Sequence, residues 1–442
     1  MSEDVERGGP GTHPYIERFA DAWLTDILAE LPAVMIVGAR GCGKSTTASR
    51  HSVGRLRLDR RATAEAVRAD PDEALRNEPE PLLVDEWQLV PEVLSAAKRT
   101  IDERAMPGRF LFSGSASDEV VGEHWAATGR FVRLTLEGLS QREQRGRAGG
   151  PMFVDRLLDG DYDEALPPSN ELTSGDYLEL ACSSMLPEAV RLRSPRTRTA
   201  FLSSYVDNMV SRDVRLIADV RDPLKLRRYL SAIAANSAGT PPLERLVRAC
   251  ELNRETAQRY DGLLERLFLT DQVPGWSANY LARVAKRSKR YVRDPGLLAH
   301  LLGVDRRSAV RHADVAGRLI DTFVVSQLRS ELPFMRLPAR PFHLRHGEQV
   351  EVDYLVERSD GAIALFEFKA AAHVDDRDAR HLLSVSAAIN RAEPRRQTRG
   401  VVFYCGSHSY RVTDTVLALP ISALWSDAEG GEPASGGVVT DE

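Results

Sequence analysis

The chain has 442 residues, of which 43% are hydrophobic and 28% charged, with a formal net charge of −5. That composition excludes a collagenous, low-complexity or disulfide-stapled protein, and no apolar run approaches the length that spans a bilayer. The length calls for about three domains rather than one core. Cys42, Cys182, Cys250 and Cys405 are scattered, and the N-terminus has neither the basic nor the apolar region of a signal peptide. Reduced thiols and a cytoplasmic location, with no membrane contact, are the expectation.

Residues 1–14 read as a flexible lead-in, followed by an amphipathic helix near Tyr15–Leu31. The apolar strand Ala33–Val37 then enters Gly38-Ala39-Arg40-Gly41-Cys42-Gly43-Lys44-Ser45, followed by Thr46 and a helix-compatible run. This is the phosphate-loop pattern G-x-x-x-x-G-K-[ST]. Its glycines let successive N–H groups converge on an anion, its lysine reaches the β- and γ-phosphates, and its hydroxyl ligates Mg²⁺. ATP and Mg are the expected ligands, with residues 38–46 as the cradle. Further short strands at Arg55–Leu58, Pro81–Val84, Arg109–Phe112 and Phe131–Leu136 alternate with helices. They predict a parallel sheet covered on both faces, an α/β nucleotide domain over 15–145.

The Gly- and Arg-rich segment Gln141–Gly150 marks a boundary to a mainly helical middle, 151–300. From Val190 to His300 the chain carries 21 Lys/Arg against 11 Asp/Glu, so an anionic partner such as DNA is to be sought there. Helices over Leu243–Ala249 and Arg254–Leu267, a turn at Glu251-Leu-Asn and a strand over Phe268–Trp276 suggest a winged helix-turn-helix; a helical lid is the competing reading. Residues 309–425 form another α/β unit. Helix Ala316–Glu331 leads to strands Pro341–Arg345, Val350–Val356 and Ile363–Ala370, helix Asp376–Ile389 and strand Gly400–Tyr404. The acidic segment 426–442 is expected to be disordered.

Asp85 and Glu86 close the apolar strand Leu82–Asp85, the place for a metal-holding acid and a water-orienting base. A plain strand-end turn is the alternative. Ser113 ends the next strand and is either a γ-phosphate sensor or part of a Ser-rich turn. Arg130 opens the last strand and is a candidate for stabilising the transferring phosphoryl group, from the same subunit or a neighbour in a homo-oligomer.

In the C-terminal unit, Asp353 and the pair Glu367 and Lys369 fall on two strands joined through Ser359-Asp-Gly. Glu367 and Lys369 share a face. With Asp321 from the preceding helix they make the PD-(D/E)xK pattern, a second candidate metal site for phosphodiester cleavage. A cross-strand ion pair is the bland alternative, and a fold relic without cleavage is the favoured reading. The basic run Arg283–Tyr291, with Arg254 and Arg259, is a candidate phosphate-backbone contact; a solvated face is the usual outcome.

The series GARGCGKSTTA, LLVDEWQ, FLFSGSAS and TGRFVRL resembles bacterial and archaeal AAA-type predicted ATPases carrying a C-terminal domain of unknown function with restriction-nuclease-like character. The resemblance extends over roughly 20–410 through Tyr205–Asp213, Arg290–Gly296, Gly317–Leu328 and Glu351–Asp353. It implies ATP binding, hydrolysis, and a helical or winged-helix middle. Ser183-Ser184 stands where such proteins have a Gly-Gly ahead of Pro187-Glu188, and Asp321 stands where they have a glutamate. The expected function is Mg-dependent ATP hydrolysis coupled to the basic middle and nuclease-like domains. The alternatives are an ATP-gated DNA-binding or DNA-cleaving effector, a non-catalytic switch for a protein partner, and a small-molecule kinase.

Overall fold

The computed structural model describes residues 14–114, 129–216, 220, 222–346 and 350–426. Residues 1–13 of the expected lead-in, Ser115, residues 347–349 and the acidic tail beyond Ser426 lie outside the described residues.

The first part runs α1 (Phe19–Glu30), β1 (Ala33–Val37), α2 (Lys44–Arg50), β2 (Gly54–Arg57), α3 (Arg61–Ala69), α4 (Pro71–Arg76), β3 (Leu82–Asp85), α5 (Glu92–Glu103), β4 (Phe110–Gly114) and β5 (Phe131–Thr135). Its five strands form one parallel sheet in the order β2-β3-β4-β1-β5. Alternation along β1 explains the apolar run. Val34 and Ile36 pack under Ala20, Leu24 and Leu28, one stripe of α1. Ala33, Met35 and Val37 face Val93, Leu94, Ala97 and Ile101 of α5. Both faces are buried, so every position of the strand is apolar.

The middle contains α6 (Gln141–Gln144), α7 (Phe153–Asp159), α8 (Asp161–Glu164), α9 (Ser174–Ala181), α10 (Pro187–Arg191), α11 (Pro195–Ser211), α12 (Pro223–Ala234), α13 (Leu243–Cys250) and α14 (Arg254–Arg266). It continues through β6 (Thr270–Val273), α15 (Tyr280–Ala285), β7 (Lys289–Val292), α16 (Pro295–Leu302) and α17 (Arg306–Ala309). Helices α13 and α14 turn at Glu251, which sits in the left-handed region with φ 53°. Strands β6 and β7 pair antiparallel, and Gly239 bridges Arg290 alongside them. Strand β7 replaces the second half of the basic run read as a surface feature. Lys-Arg-Tyr-Val does not alternate polar with apolar, so the period-2 signal of a strand is missing there.

The last part is α18 (Ala313–Glu331), β8 (Ala339–His346), β9 (Val350–Arg358), β10 (Ile363–Lys369), α19 (Arg380–Ala392), β11 (Thr398–Tyr404), β12 (Tyr410–Arg411) and β13 (Val416–Pro420). A mixed six-stranded sheet has the order β12-β13-β11-β10-β9-β8. Leu382, Val385 and Ile389 of α19 cover one face; the other meets α18, buried at every residue from Leu319 to Glu331. The predicted start of α19 at Asp376 moves to Arg380, because Asp375 and Asp378 close a turn instead. The C-terminal sheet does not pack apart from the middle. One continuous apolar core includes Phe153, Tyr177, Leu230, Phe323, Phe366 and Trp425. The boundary segment is likewise no solvent-exposed linker: Gln141, Arg142 and Glu143 are buried, and Arg142 reaches Glu331 of α18. Among the described residues, no helix is long and apolar enough to cross a membrane.

Candidate nucleotide site

The carboxyl ends of β1, β3 and β4 converge where the phosphate loop leaves the sheet, the crevice in which parallel α/β sheets bind ligands. Gly38 has φ 152°, and a Cβ there would lie 2.2 Å from the Leu136 carbonyl oxygen, so no side chain fits. Gly43, at φ 105°, caps α2 and turns the loop into it. The Lys44 ammonium folds back over the loop, donating to the Gly38 and Ala39 carbonyls at 3.0 and 2.8 Å. The Cys42 side chain points away from the cradle and is fully buried, its thiol donating to the Leu136 carbonyl at 3.3 Å. Thr46 lies exposed at the mouth.

Register sets the acid site. Asp85 pairs with Ser113 across β3 and β4. Asp85 Oδ1 accepts from Ser45 Oγ at 2.7 Å and from Ser113 Oγ at 2.6 Å, while Arg55 donates to Oδ2 at 2.7 Å. Burial pushes the Asp85 carboxyl up, but the bonds from Ser113, Ser45 and Arg55 outweigh it and hold the pKa below the ordinary carboxylate value. Two hydroxyls beside an ionised carboxylate form the hard-oxygen donor set that Mg²⁺ takes. Ser113 is buried and spends its hydroxyl on Asp85, so it orients that acid rather than reaching a phosphate.

Glu86 lies in the left-handed region at φ 59° and ψ 43°, an uncommon place for a residue with a side chain. It faces the pocket, with its carboxylate bonded to Gln88.

Arg130 requires a correction. Ala33 pairs with Phe131 and Val37 with Thr135, so Arg130 stands at the end of the sheet opposite the phosphate loop. Five strand residues separate the two ends, roughly 15 Å. Its guanidinium bonds Asp102 of α5 at 2.9 Å. Strand direction rather than motif spacing fixes where it falls, away from the phosphate loop of its own chain.

A cavity of about 320 Å³ lies over the loop. Its walls include residues the sequence reading missed: Tyr15 and Ile16 ahead of α1, Leu139, and Pro187, Glu188 and Arg191 of α10. Arg18 is buried beneath it, bonded to Glu143 at 2.8 Å, the Cys42 carbonyl at 3.1 Å and the Glu137 carbonyl at 2.8 Å. The middle helices also grip the loop from outside. Arg40 pairs with Asp213, and the Tyr205 hydroxyl donates to the Arg40 carbonyl at 3.1 Å. These contacts join segments far apart in sequence, and only the Tyr205–Asp213 and Pro187-Glu188 motifs hinted at them.

The C-terminal acids also come together. Strands β9 and β10 are antiparallel with Phe366 opposite Tyr354, and Asp353 accepts from the Phe368 backbone N–H at 3.1 Å. Lys369 bonds Glu367 at 3.0 Å and lies 3.4 Å from Asp378. The centre of the group holds a cation of the chain itself. Lys289 of β7, almost wholly buried, donates to Asp321 at 2.8 Å and Asp353 at 2.9 Å. The Tyr291 hydroxyl donates to Asp321 at 2.9 Å. Burial pushes Asp321 up to about 7 against the pull of Lys289. Burial, then repulsion from Asp353, pushes Glu367 up to about 8. Among the described residues, no group of three or more His, Cys, Asp or Glu is arranged to hold a metal ion. Part of the basic run is turned inward, while Arg287 stays exposed. Arg283 clasps Glu357 at 2.6 Å and Arg290 clasps Asp261.

One family match agrees with the first part of this description. Residues 30–144 match an AAA domain family, residues 174–308 a domain of unknown function (DUF8612) and residues 316–424 another (DUF4143). The uncharacterized proteins Rv2008c of Mycobacterium tuberculosis and Mb2031c of Mycobacterium bovis are each 30% identical over 414 residues, covering 92% of this chain and 84% of theirs. A Walker-type ATPase of Pyrococcus abyssi superposes with a TM-score of 0.42 at 11% identity, over 65% of this chain and 96% of that one.

Proposed function

We propose that this chain, which belongs to the same family as the two mycobacterial proteins, is an Mg-dependent ATPase whose nucleotide state is passed to its basic middle. The observation that carries the reading is the Ser45–Asp85–Ser113 cluster at the open end of the phosphate loop. Ser45 and Asp85 would hold Mg²⁺, which when bound neutralises charge on the β- and γ-phosphates. Loop N–H groups and Lys44 bind the phosphates, Ser113 and Arg55 keep Asp85 ionised, and Glu86 orients the attacking water and accepts its proton. Tyr15, Leu139 and Arg191 close the pocket and exclude water from the reacting end.

Coupling is assigned to Arg40, whose side chain and carbonyl are held by Asp213 and Tyr205 of the segment formed by α11 and its continuation. Filling the cradle displaces the loop by which that segment is gripped. The units in this scheme are 15–145, 151–300 and 309–425. Cleavage by the third is not part of it, since Lys289 occupies the space between Asp321 and Asp353.

Phosphate release by wild type and Glu86→Gln is the test. The variant should keep nucleotide affinity and lose turnover by on the order of 10²-fold or more. Equal turnover in both, or undetectable release by wild type with Mg·ATP, removes the enzymatic reading.

A further inference from the structure

A second cavity, of about 1060 Å³, opens between the first turns of α11 and the end of α16 with α17. Four arginines line it: Arg198, Arg306, Arg307 and Arg311. Two carboxylates, Glu179 and Asp305, also line it and offset the four in part, leaving an excess of positive charge. Asp305 caps α17, accepting from the Ser308 N–H at 2.8 Å and its hydroxyl at 2.7 Å; these bonds hold it ionised, and its charge acts on Arg307. Arg306 lies only within 4.0 Å of Asp176. Arg307 and Arg311 are exposed and have no carboxylate at ion-pair distance among the described residues. Burial, reinforced by Arg227, lowers the His300 pKa, so the ring adds no charge near neutrality. The positive potential therefore comes from guanidinium groups that do not titrate.

Two more features give the cavity a direction. The amino end of α11, a helix of 17 residues, points its dipole into it. Arg191, Arg193, Arg196 and Arg198 follow one another with no acid between Ala189 and Val206, and Arg191 already lines the nucleotide pocket. The stretch of chain that joins the two cavities, from Arg191 in one to Arg198 in the other, thus carries only positive charge.

We propose that this groove binds the phosphodiester backbone of nucleic acid. The volume exceeds the nucleotide cavity about threefold, more than a free nucleotide fills. Of the apolar lining Leu202 and Ala299 are buried at 3% and 2% exposure, and Pro195, Val304 and Cys182 are scattered among the arginines rather than set in the alternating pockets by which peptides are read. What remains is a row of fixed cations matched to a strand of regularly spaced anions. The site differs from the basic run at 283–291, whose Arg283, Lys289 and Arg290 are consumed internally, and from helix α14. Hydrolysis of ATP is not required for it.

The test uses the full chain without nucleotide, and a labelled single-stranded DNA oligonucleotide followed by fluorescence anisotropy at low and moderate salt. Arg307→Glu with Arg311→Glu should weaken binding by about tenfold or more and flatten the salt dependence by about two charges. Arg307→Lys with Arg311→Lys should restore it, which a merely structural role would not give. The inference is overturned if the reversal leaves affinity unchanged, or if Arg254→Glu with Arg259→Glu on α14 removes binding while the groove variant does not. Equal competition by polyglutamate and by unlabelled DNA overturns the assignment to nucleic acid.

Discussion

Asp85 and Asp321 are both buried carboxylates at the centre of an acidic site, and their surroundings drive them in opposite directions. Around Asp85 stand two hydroxyls and Arg55 at the rim, and the acid is held ionised below its ordinary pKa. Around Asp321 stand a buried lysine and a second carboxylate, and burial raises it to about 7. The first arrangement leaves an acid ready for a cation from outside. The second carries its own. An acidic motif therefore marks a place where cationic charge is needed, and only the neighbours decide whether ligand or chain supplies it.

Removing the resident cation breaks the second arrangement most severely. Lys289→Met leaves Asp321 and Asp353 facing each other without a counter-charge, and the folded state should lose about 3–5 kcal/mol. Lys289→Met combined with Asp321→Asn, which leaves a single charge, should recover part of that loss. Denaturant unfolding of wild type, single and double variants measures both. An unchanged stability for Lys289→Met refutes the internal role of the lysine.

Titration sharpens the contrast more gently. The Glu367 pKa rises on folding, from 4.5 to about 8. A carboxyl whose pKa rises on folding binds more protons when folded. Its favourable contribution is complete below about pH 4.5 and is lost as pH climbs through about 8. Wild type should therefore lose stability relative to Glu367→Gln as pH is raised from 5 to 9, by a few kcal/mol at most. Thermal melts of both proteins across that range check it; parallel curves would show that Glu367 does not titrate in the window.

The two sites also differed in how much of them could be read without a structure. The phosphate loop is contiguous, so its glycines, Lys44 and Ser45 are legible as a string, and Asp85 follows because an apolar strand delivers it to the same sheet end. The alternation of buried faces likewise made the parallel sheet legible. The walls at Tyr15, Leu139 and Arg191 were not, because they arrive from three separate segments. Lys289 was hidden for a further reason. In Lys289-Arg290-Tyr291-Val292 a buried cation looks the same as an exposed one until Asp321 and Asp353 are seen on either side.

Arg130 marks the limit of spacing as a guide. It lies just ahead of the strand next to β1, near the loop in the sheet's order yet at the far end along the strand. Within one chain it pairs with Asp102, an exposed ion pair of the kind that contributes about 0–1 kcal/mol. Arg130→Ala should therefore leave phosphate release by dilute protein within about twofold of wild type, with little change in melting temperature. A loss that appears only as protein concentration rises would assign the guanidinium to a neighbouring copy's nucleotide. A large loss at every concentration would mean that strand register misplaces it, and that the comparison of the two acidic sites rests on a sheet read in the wrong direction.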